Sequence, residues 1–366
     1  MPRPRPLELA PVAGLTRLLS LTLVNEVNPD CAGRCVIDAY SGTDEQELLR
    51  LSTLTALESL QLRMSLTVSV LPPLPALRVL VTGGGLQVSV LAQVPQLTRL
   101  EACVLRLPAT SAARPVAPLL RSAAVADLHG LAVVAPQLQQ LTFRELPLTP
   151  STCDLTRLSQ AQRGQLCSLQ LPEYATSGIS ARIAAQLASS VTRLVLTHFD
   201  CNAASSLALC RRGVRELDLS FCKGWEACKD GSCRLPPSVD NAIYDDEEEE
   251  AGERGAFWLA AMRGSGVADL TLRYGGSEWF EWSWLQPLAR WRSLQRLVLD
   301  GGVKHSKCCR PRDLSGLAAA CLREGSPLSR LELRAGKFWV RQRQLVCAAV
   351  ERANPRITCT APVVAM

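Results

Sequence analysis

The segment Val214-Arg215-Glu216-Leu217-Asp218-Leu219 decides the fold, because its pattern recurs along almost the whole chain. The pattern is an apolar residue, two variable residues, leucine, one variable residue and a second apolar residue. Apolar residues that alternate with polar ones are typical of a β-strand with one buried face. The copies occupy residues 18–23, 57–62, 77–80, 97–100, 138–143, 166–171, 191–196, 214–219, 267–272, 294–299 and 328–333, with a partial copy at 357–359.

The spacing between copies indicates the class of repeat. From the middle leucine of one copy to the equivalent residue of the next, the steps are 39, 20, 20, 41, 28, 25, 23, 53, 27, 34 and 26 residues. We interpret the steps of 39 and 53 residues as a repeat plus an insertion, at about residues 25–47 and 222–256. The step of 41 residues predicts a degenerate repeat around Leu119 or Leu128, which brings the total to twelve or thirteen repeats.

In its pattern and spacing the chain resembles the leucine-rich-repeat family, whose repeats are about 20–29 residues long. The resemblance implies an α/β solenoid with a curved parallel sheet on its concave face and helices and turns on its convex face. We expect a single domain over residues 1–366, made of about 12–13 irregular repeats. Apolar residues three and four positions apart predict helices over residues 179–189, 256–263, 314–323 and 341–353.

The segment Leu217-Asp218-Leu219-Ser220-Phe221-Cys222 resembles the cysteine-containing repeats of F-box substrate receptors. In a leucine-rich repeat, Asn or Cys at this last position satisfies buried backbone groups. The other copies carry different residues there, so we expect the repeats to be irregular. Only fourteen residues precede Leu15, and the resemblance therefore comes without an F-box.

Composition and charge narrow the classes of function. The net charge is +6, but the acidic run Asp245–Glu250 means that the rest of the chain carries about +12. This basicity is spread out, so we expect no nucleic-acid partner. The longest uncharged stretch, residues 79–98, contains three consecutive glycines and Pro95, and no apolar run resembles a signal peptide. We therefore expect no membrane segment.

The chain has fifteen cysteines, and many of them lie inside the repeats. Buried free thiols behave as small hydrophobic side chains, and a reducing compartment keeps them reduced. We therefore expect a cytoplasmic protein. A separate expectation is that it is monomeric. Cys222, Cys228 and Cys233 are spaced unlike any usual zinc motif, so we expect no metal site.

Catalytic motifs are absent from the sequence. The three histidines, His129, His198 and His305, are isolated from any nucleophile motif, and there is no phosphate-binding loop. We expect a protein without a cofactor that is not an enzyme.

Charged residues between the core leucines form the main candidate binding surface, because these positions face away from the core. The sequence predicts more arginines than acids there and no lysine, which favours recognition of carboxylates or phosphates. The alternative is a solvated face neutralised by neighbouring charge pairs. The candidate residues are Arg63, Arg99, Arg144, Arg193, Asp218, Arg273, Arg296, Arg330 and Arg334, with Arg356 also expected on this face.

A second candidate surface is the aromatic cluster Trp279, Trp282 and Trp284, which Trp291 follows. Tryptophan is favoured at the centre of protein interfaces. The same residues would also serve to pack a convex helix or loop onto the core, so both interpretations stay open.

From these features we expect a non-catalytic scaffold that binds another protein with its concave face. The resemblance to F-box receptors suggests a substrate receptor of a ubiquitin ligase. The alternative is a structural or docking component of a cytoskeletal assembly such as the ciliary axoneme, in which insertions would contact neighbours. A third option, regulation of a small GTPase, requires a catalytic arginine loop that the sequence does not offer.

Overall fold

The structure is a computed structural model, and the part of the chain that it describes covers most of the repeats. The described residues are 9–24, 47–63, 67–107, 117–128, 130–144, 154–171, 183, 186–197, 213–221, 259, 262–274, 285–300, 311–334 and 343–361. The chain divides into two compact units, Met1–Leu169 and Gln170–Met366, here called the N-terminal and the C-terminal unit. The prediction of a single domain stays a prediction, and almost all of both predicted insertions lies outside the described residues.

The N-terminal unit is built around a parallel sheet to which each repeat contributes one strand. Its strands, in chain order, are β1 (Ser20–Val24), β2 (Ser59–Arg63), β3 (Val79–Thr82), β4 (Gly85–Gln87), β5 (Arg99–Glu101), β6 (Val104–Arg106), β7 (Ser122–Val125), β8 (Gln140–Phe143) and, at the boundary, β9 (Ser168–Gln170). The main sheet has the order β1-β2-β3-β5-β7-β8, with all pairs parallel. Strands β4 and β6 form a separate parallel pair.

The core of this unit is a row of residues in register across the strands. Leu60, Leu80 and Leu100 lie side by side and are fully buried. In β7 the same position belongs to Ala123, which pairs with Leu100 on one side and with Leu141 on the other. The degenerate repeat that the sequence left unplaced therefore supplies β7, and alanine in place of leucine is the reason why the pattern did not reveal it.

Short helices connect the strands of the N-terminal unit. The α-helices are α1 (Ala10–Ala13), α2 (Leu131–Val134) and α3 (Gln160–Gln165), and 3-10 helices span Leu49–Thr53, Val88–Gln93 and Leu155–Arg157. Helix α3 begins with a capping box. The Ser159 side chain accepts a hydrogen bond from the Gln162 backbone N–H, and the Gln162 side chain accepts one from the Ser159 backbone N–H. The buried Gln162 amide also donates to the carbonyl of Ala135 at 2.9 Å.

The C-terminal unit repeats the same design with longer connections. Its strands are β10 (Arg193–Thr197), β11 (Glu216–Phe221), β12 (Asp269–Tyr274), β13 (Arg296–Asp300), β14 (Arg330–Arg334) and β15 (Thr358–Thr360), paired in this order and all parallel. Two buried rows run across them. One row is Leu194, Leu217, Leu270, Leu297, Leu331 and Cys359, and the other is Leu196, Leu219, Leu272, Leu299 and Leu333.

Among the described connections of the C-terminal unit are two full α-helices, α4 (Pro311–Glu324) and α5 (Arg343–Ala353), as predicted over 314–323 and 341–353. The helices predicted over 179–189 and 256–263 lie largely outside the described residues. Helix α4 ends at Gly325, whose φ of 65° is the left-handed conformation that glycine adopts without strain. The buried Asn354 donates to the carbonyl of Ala318 at 3.2 Å and accepts from the backbone N–H of Arg356 at 3.0 Å. This amide ties the end of α5 to α4.

Trp291 shows how the second unit fills its core. Its side chain is fully buried, and its indole N–H donates to the carbonyl of Leu259 at 2.9 Å. It follows the 3-10 helix Gln286–Arg290. For this one tryptophan, packing is therefore the role that the structure assigns.

Every copy of the sequence pattern forms a strand, and in each described strand the leucines face the core. What the pattern misses is β7, where Ala123 replaces leucine, and the pair β4 and β6, which is separate from the main sheet.

Candidate protein-binding face

The residues between the core leucines of the C-terminal unit form three rows on the solvent side of the sheet, here called the C-terminal strand face. The first row is Arg193, Glu216, Asp269, Arg296 and Arg330. The second is Val195, Asp218, Thr271, Val298 and Glu332, of which Val298 is fully buried, and the third includes Arg273, Asp300 and Arg334. Five arginines and five carboxylates therefore share these rows, and the face is formally neutral.

Arg273 and Asp218 form the best-aligned ion pair of this face. The guanidinium donates to both carboxylate oxygens, with Nε–Oδ1 and Nη2–Oδ2 distances of 2.9 and 2.8 Å. Such bidentate pairs fix the orientation of both side chains. The carboxylate is only 17% exposed, whereas the arginine is 46% exposed. The arginine thus covers the acid and shields it from solvent.

A second cluster joins one carboxylate to two guanidiniums. Arg296 Nη2 lies 2.6 Å from Glu332 Oε2, and Arg334 Nε lies 2.7 Å from Glu332 Oε1. Burial alone would raise the pKa of Glu332, but the hydrogen bonds and positive charges of Arg296 and Arg334 outweigh burial and lower it. The cluster carries one net positive charge at the end of the face where Arg330 lies.

The remaining arginines of the face are looser. Arg193 and Glu216 approach to 3.6 Å, and both are more than half exposed. Arg330 is exposed, and within the part of the chain that the structure describes it forms no ion pair. Arg330 is therefore the arginine of this face that is best placed to meet a carboxylate from another molecule.

The N-terminal unit presents a different face between its leucines. The side chains there are mainly small or uncharged, namely Ser59, Gln61, Val79, Val81, Ser122, Ala124, Gln140 and Thr142. The only charged residues in these rows are Arg99 and Glu101, which pair with an Nε–Oε1 distance of 3.1 Å. This face offers few groups for ionic recognition.

Arg63 and Arg144 lie at the ends of strands in the N-terminal unit and have different surroundings. Arg63 is exposed and donates to the side chain of Gln61 at 3.3 Å, in its own strand. Arg144 is half-buried, and its Nη1 donates to the carbonyl of Thr82 at 2.9 Å. Thr82 itself occupies a buried position, where its hydroxyl donates to the carbonyls of Gly84 and Glu101. Arg144 is thus part of a buried polar network.

The structure brings six of the predicted binding residues together on the C-terminal strand face: Arg193, Asp218, Arg273, Arg296, Arg330 and Arg334. Arg63, Arg99 and Arg144 lie in the other unit. Arg356 lies in the turn before β15 and not on a strand. Trp279, Trp282 and Trp284 lie outside the described residues. The sequence did not reveal that Arg273, Arg296 and Arg334 already bind carboxylates of their own chain.

No group of three or more His, Cys, Asp or Glu residues in the described ranges is arranged to hold a metal ion. None of the helices described in the two units has both the length and the apolar character needed to span a bilayer.

Comparison with known proteins adds little to this description. No family model and no curated protein sequence matches the chain. Among the similar solved structures is that of the leucine-rich-repeat-containing protein LegL7 from Legionella pneumophila, at 13% identity and a TM-score of 0.35, covering 93% of this chain and 82% of that one. At this level the likeness carries no argument, so the repeat architecture rests on the strand register and the buried leucine rows.

Proposed function

We propose that the chain is a non-catalytic scaffold that binds another protein through the C-terminal strand face. The observation that carries the proposal is a solvent-exposed sheet face with five arginines and five carboxylates at fixed positions. The leucine rows alone satisfy the requirements of the fold, so the residues between them are free to serve recognition. Rigid strands also hold their side chains more accurately than loops do.

The balance of charge on this face supports a protein partner. A nucleic acid would require a surplus of cations along the surface, because its phosphates dominate affinity. A neutral mosaic instead complements a surface that itself carries both signs, and such complementarity provides specificity more than affinity. We infer that the partner contacts the exposed Arg330 end of the face with an acidic group, and that the paired residues Asp218 and Arg273 provide a fixed polar border.

The remaining parts of the proposal follow from the sequence. The absence of nucleophile and phosphate-binding motifs supports a protein that is not an enzyme. The many cysteines support a reducing compartment, for which we propose the cytoplasm. We also propose that the scaffold is monomeric.

Two finer functions are consistent with a binding scaffold. A substrate receptor of a ubiquitin ligase is supported by the resemblance of Leu217–Cys222 to the repeats of F-box receptors. A structural or docking component of a cytoskeletal assembly, such as the ciliary axoneme, is supported by the two insertions, at about residues 25–47 and 222–256. Gentle lysis distinguishes them, because a receptor extracts with the cytosol whereas an assembly component stays with the insoluble cytoskeleton.

The test of the binding face is a comparison of captured partners by quantitative mass spectrometry. The tagged chain and its triple variant Arg296→Glu, Arg330→Glu, Arg334→Glu are expressed in the same native cells. We expect the triple variant to capture at least about tenfold less of each specific partner, because reversed charges repel the groups that the arginines meet. The single variant Arg330→Glu breaks no ion pair in the described residues. It should capture the same partners in an amount between those of the wild type and the triple variant.

A matched control reverses three arginines of the same unit that lie in connections between strands, Arg263, Arg292 and Arg323. This control changes the net charge by the same amount and should keep the partners. Circular dichroism and a thermal melt verify that every variant is folded. Equal capture by the wild type and a folded triple variant would show that the C-terminal strand face is not the binding surface.

A further inference from the structure

The last helix and the last strand of the C-terminal unit bring two cysteines together. Cys347 and Glu351 are four positions apart on α5, so they lie on the same face of the helix. The Glu351 carboxylate accepts a hydrogen bond from the backbone N–H of Cys359 in β15 at 3.2 Å, which shows that this helix face is turned towards the strand. The Cys347 side chain is also close enough to Cys359 to raise the pKa of its thiol.

The two thiols differ in their access to solvent. Cys359 is 8% exposed, whereas Cys347 is half-buried, and neither is in a disulfide. Burial, then the hydrogen bond and charge of Cys347, and then the charge of Glu351 raise the pKa of Cys359 well above its ordinary value. Cys359 is therefore a shielded, protonated thiol, and Cys347 is the member of the pair that a reagent reaches first.

We propose that Cys347 and Cys359 are a modification site, a dithiol that a small-molecule disulfide such as oxidised glutathione converts to a reversible intrachain disulfide. The Cys347 thiolate attacks one sulfur of the oxidant, whose S–S bond breaks and releases one glutathione. In the mixed disulfide, Cys347 no longer has the thiol and charge that help to raise the pKa of Cys359. The Cys359 sulfur then attacks the Cys347 sulfur while its proton passes to the departing glutathione. The two thiol protons of the protein end on the two released glutathione molecules, so the protein loses two electrons and the oxidant gains them.

The bond would link α5 to β15 and so hold the strand that borders β14. Thr358 and Thr360 of β15 are in register with Arg330 and Glu332 of β14. Strands at the end of a sheet open more readily than central ones. Since Cys359 lies in the buried row, the disulfide would form on the core side of β15 and leave the C-terminal strand face uncovered.

The first experiment maps the linkage in the full, unmodified chain. The reduced protein is incubated with oxidised glutathione, remaining thiols are blocked with N-ethylmaleimide, and the protein is digested with trypsin. Trypsin separates the two cysteines into the peptides Gln344–Arg352 and Ile357–Met366. We expect these two peptides to be joined, with the loss of two hydrogens, and to separate on reduction. Glutathione retained on Cys347 while Cys359 stays a free thiol, or a bond from Cys347 to another cysteine, would overturn the proposal.

Single variants test the order of the two steps. Cys359→Ser should accumulate the glutathione adduct of Cys347, because the second thiol is missing. Cys347→Ser should leave Cys359 unmodified, because that thiol is shielded. The control Cys167→Ser removes a similarly half-buried thiol in the N-terminal unit and should leave the linked peptides unchanged. Rapid modification of Cys359 in the Cys347→Ser variant would contradict the assigned roles.

Hydrogen exchange provides a readout that does not depend on any variant. In the oxidised wild type, exchange of the β15 amides should slow by at least about tenfold relative to the reduced protein, because the disulfide suppresses local opening. Reduction should restore the original rate. Unchanged exchange in a protein whose linkage is confirmed would show that the bond does not clamp the strand.

Discussion

The residues between the core leucines are small and mostly uncharged in the N-terminal unit, whereas they are long and charged in the C-terminal unit. Across β2 to β8 the rows contain serine, alanine, valine, threonine and glutamine, with Arg99 and Glu101 as the only charged pair. Arg63 and Arg144 at the strand ends add two charges, at the position that corresponds to Arg273 and Arg334. Across β10 to β14 they contain five arginines and five carboxylates. The same leucine pattern thus supports two different surfaces, because only the buried positions are constrained by the fold.

The connections differ between the units as well. In the N-terminal unit, steps of 20 residues leave room for 3-10 helices such as Val88–Gln93. In the C-terminal unit, the step of 34 residues from Leu297 to Leu331 and the step of 28 residues from Leu331 to its partner Cys359 accommodate α4 and α5. A three-turn helix needs about eleven residues, so a short step limits the connection to short helices. Length alone does not decide the connection, because the described part of the 28-residue step from Leu141 to Leu169 contains only a 3-10 helix and the six-residue α3.

The largest expected effect tests what the two units share. Leu270→Ala in the C-terminal unit and Leu100→Ala in the N-terminal unit each remove a fully buried leucine from a central strand. Each should lower the free energy of unfolding by about 3 kcal/mol, through lost burial and the cavity left behind. Urea unfolding followed by circular dichroism measures the loss.

The control for these variants is Leu345→Ala, because Leu345 is 69% exposed. It should change the free energy of unfolding by less than about 0.5 kcal/mol. A large effect of Leu270→Ala with almost none of Leu100→Ala would contradict this prediction, because the buried leucines would then stabilise only the C-terminal unit.

Two arginines of the N-terminal unit, Arg144 and Arg63, should differ in their contribution to stability. Arg144→Gln removes the guanidinium that donates to the Thr82 carbonyl at 2.9 Å. We expect a loss of about 2 kcal/mol in the free energy of unfolding, because a partly buried charged hydrogen bond is lost and a carbonyl is left without its donor. Arg63→Gln, at an exposed strand end, is the matched control and should cost less than about 0.5 kcal/mol. If both variants lose equally little free energy of unfolding, the contact of Arg144 with Thr82 does not stabilise the fold, and Arg144 is again a candidate for contact with a partner.

These two arginines also mark how far the sequence predicts the molecule. The leucine period predicted the strands, from Ser20–Val24 to Thr358–Thr360, because burial of one face imposes a period of two. It could not predict β7, where Ala123 replaces leucine. Nor could it distinguish Arg144 from Arg63, since each follows its last core residue by one position. The Thr82 carbonyl that Arg144 reaches lies 62 residues away in the chain, and no local pattern indicates such a contact.

For the candidate face, the sequence predicted the positions but not the pairing. The period places Arg273 and Asp218 on the solvent side, and both are there. Their contact spans 55 residues, including an insertion, so which acid meets which arginine depends on the register of the sheet. Charge counting alone therefore overstated the number of arginines available to a partner.

The free energy of unfolding should depend on pH through Glu332 of the C-terminal strand face. Arg296 and Arg334 hold the pKa of Glu332 below its ordinary value of 4.5, despite burial that acts in the opposite direction. Because the folded-state pKa is lowered, the stabilisation is fully present above about pH 4.5 and is lost as the pH falls through the folded-state pKa. Between about pH 7 and pH 3, the wild type should lose about 1 kcal/mol more stability than Glu332→Gln.

Urea unfolding at a series of pH values measures this difference. Arg334→Gln should show an intermediate acid sensitivity, because one of the two guanidiniums remains. If Glu332→Gln loses stability with acid as steeply as the wild type, the cluster does not hold the carboxylate in its charged form.

The smallest expected effect concerns the bidentate pair of the C-terminal strand face. Arg273→Gln should lower the free energy of unfolding by only about 0.5 kcal/mol, because Arg273 is 46% exposed and a solvated pair gains little. Arg273→Lys keeps the charge but loses the two parallel hydrogen bonds, so it should fall between the wild type and the glutamine variant. The same urea titration measures both. A loss of 2 kcal/mol or more would make this pair a structural element like Arg144, and the two faces would then differ less in role than in composition. A small loss instead means that the pair contributes little to the fold, as expected of a solvated ion pair, and that Arg273 differs from Arg144 in its role.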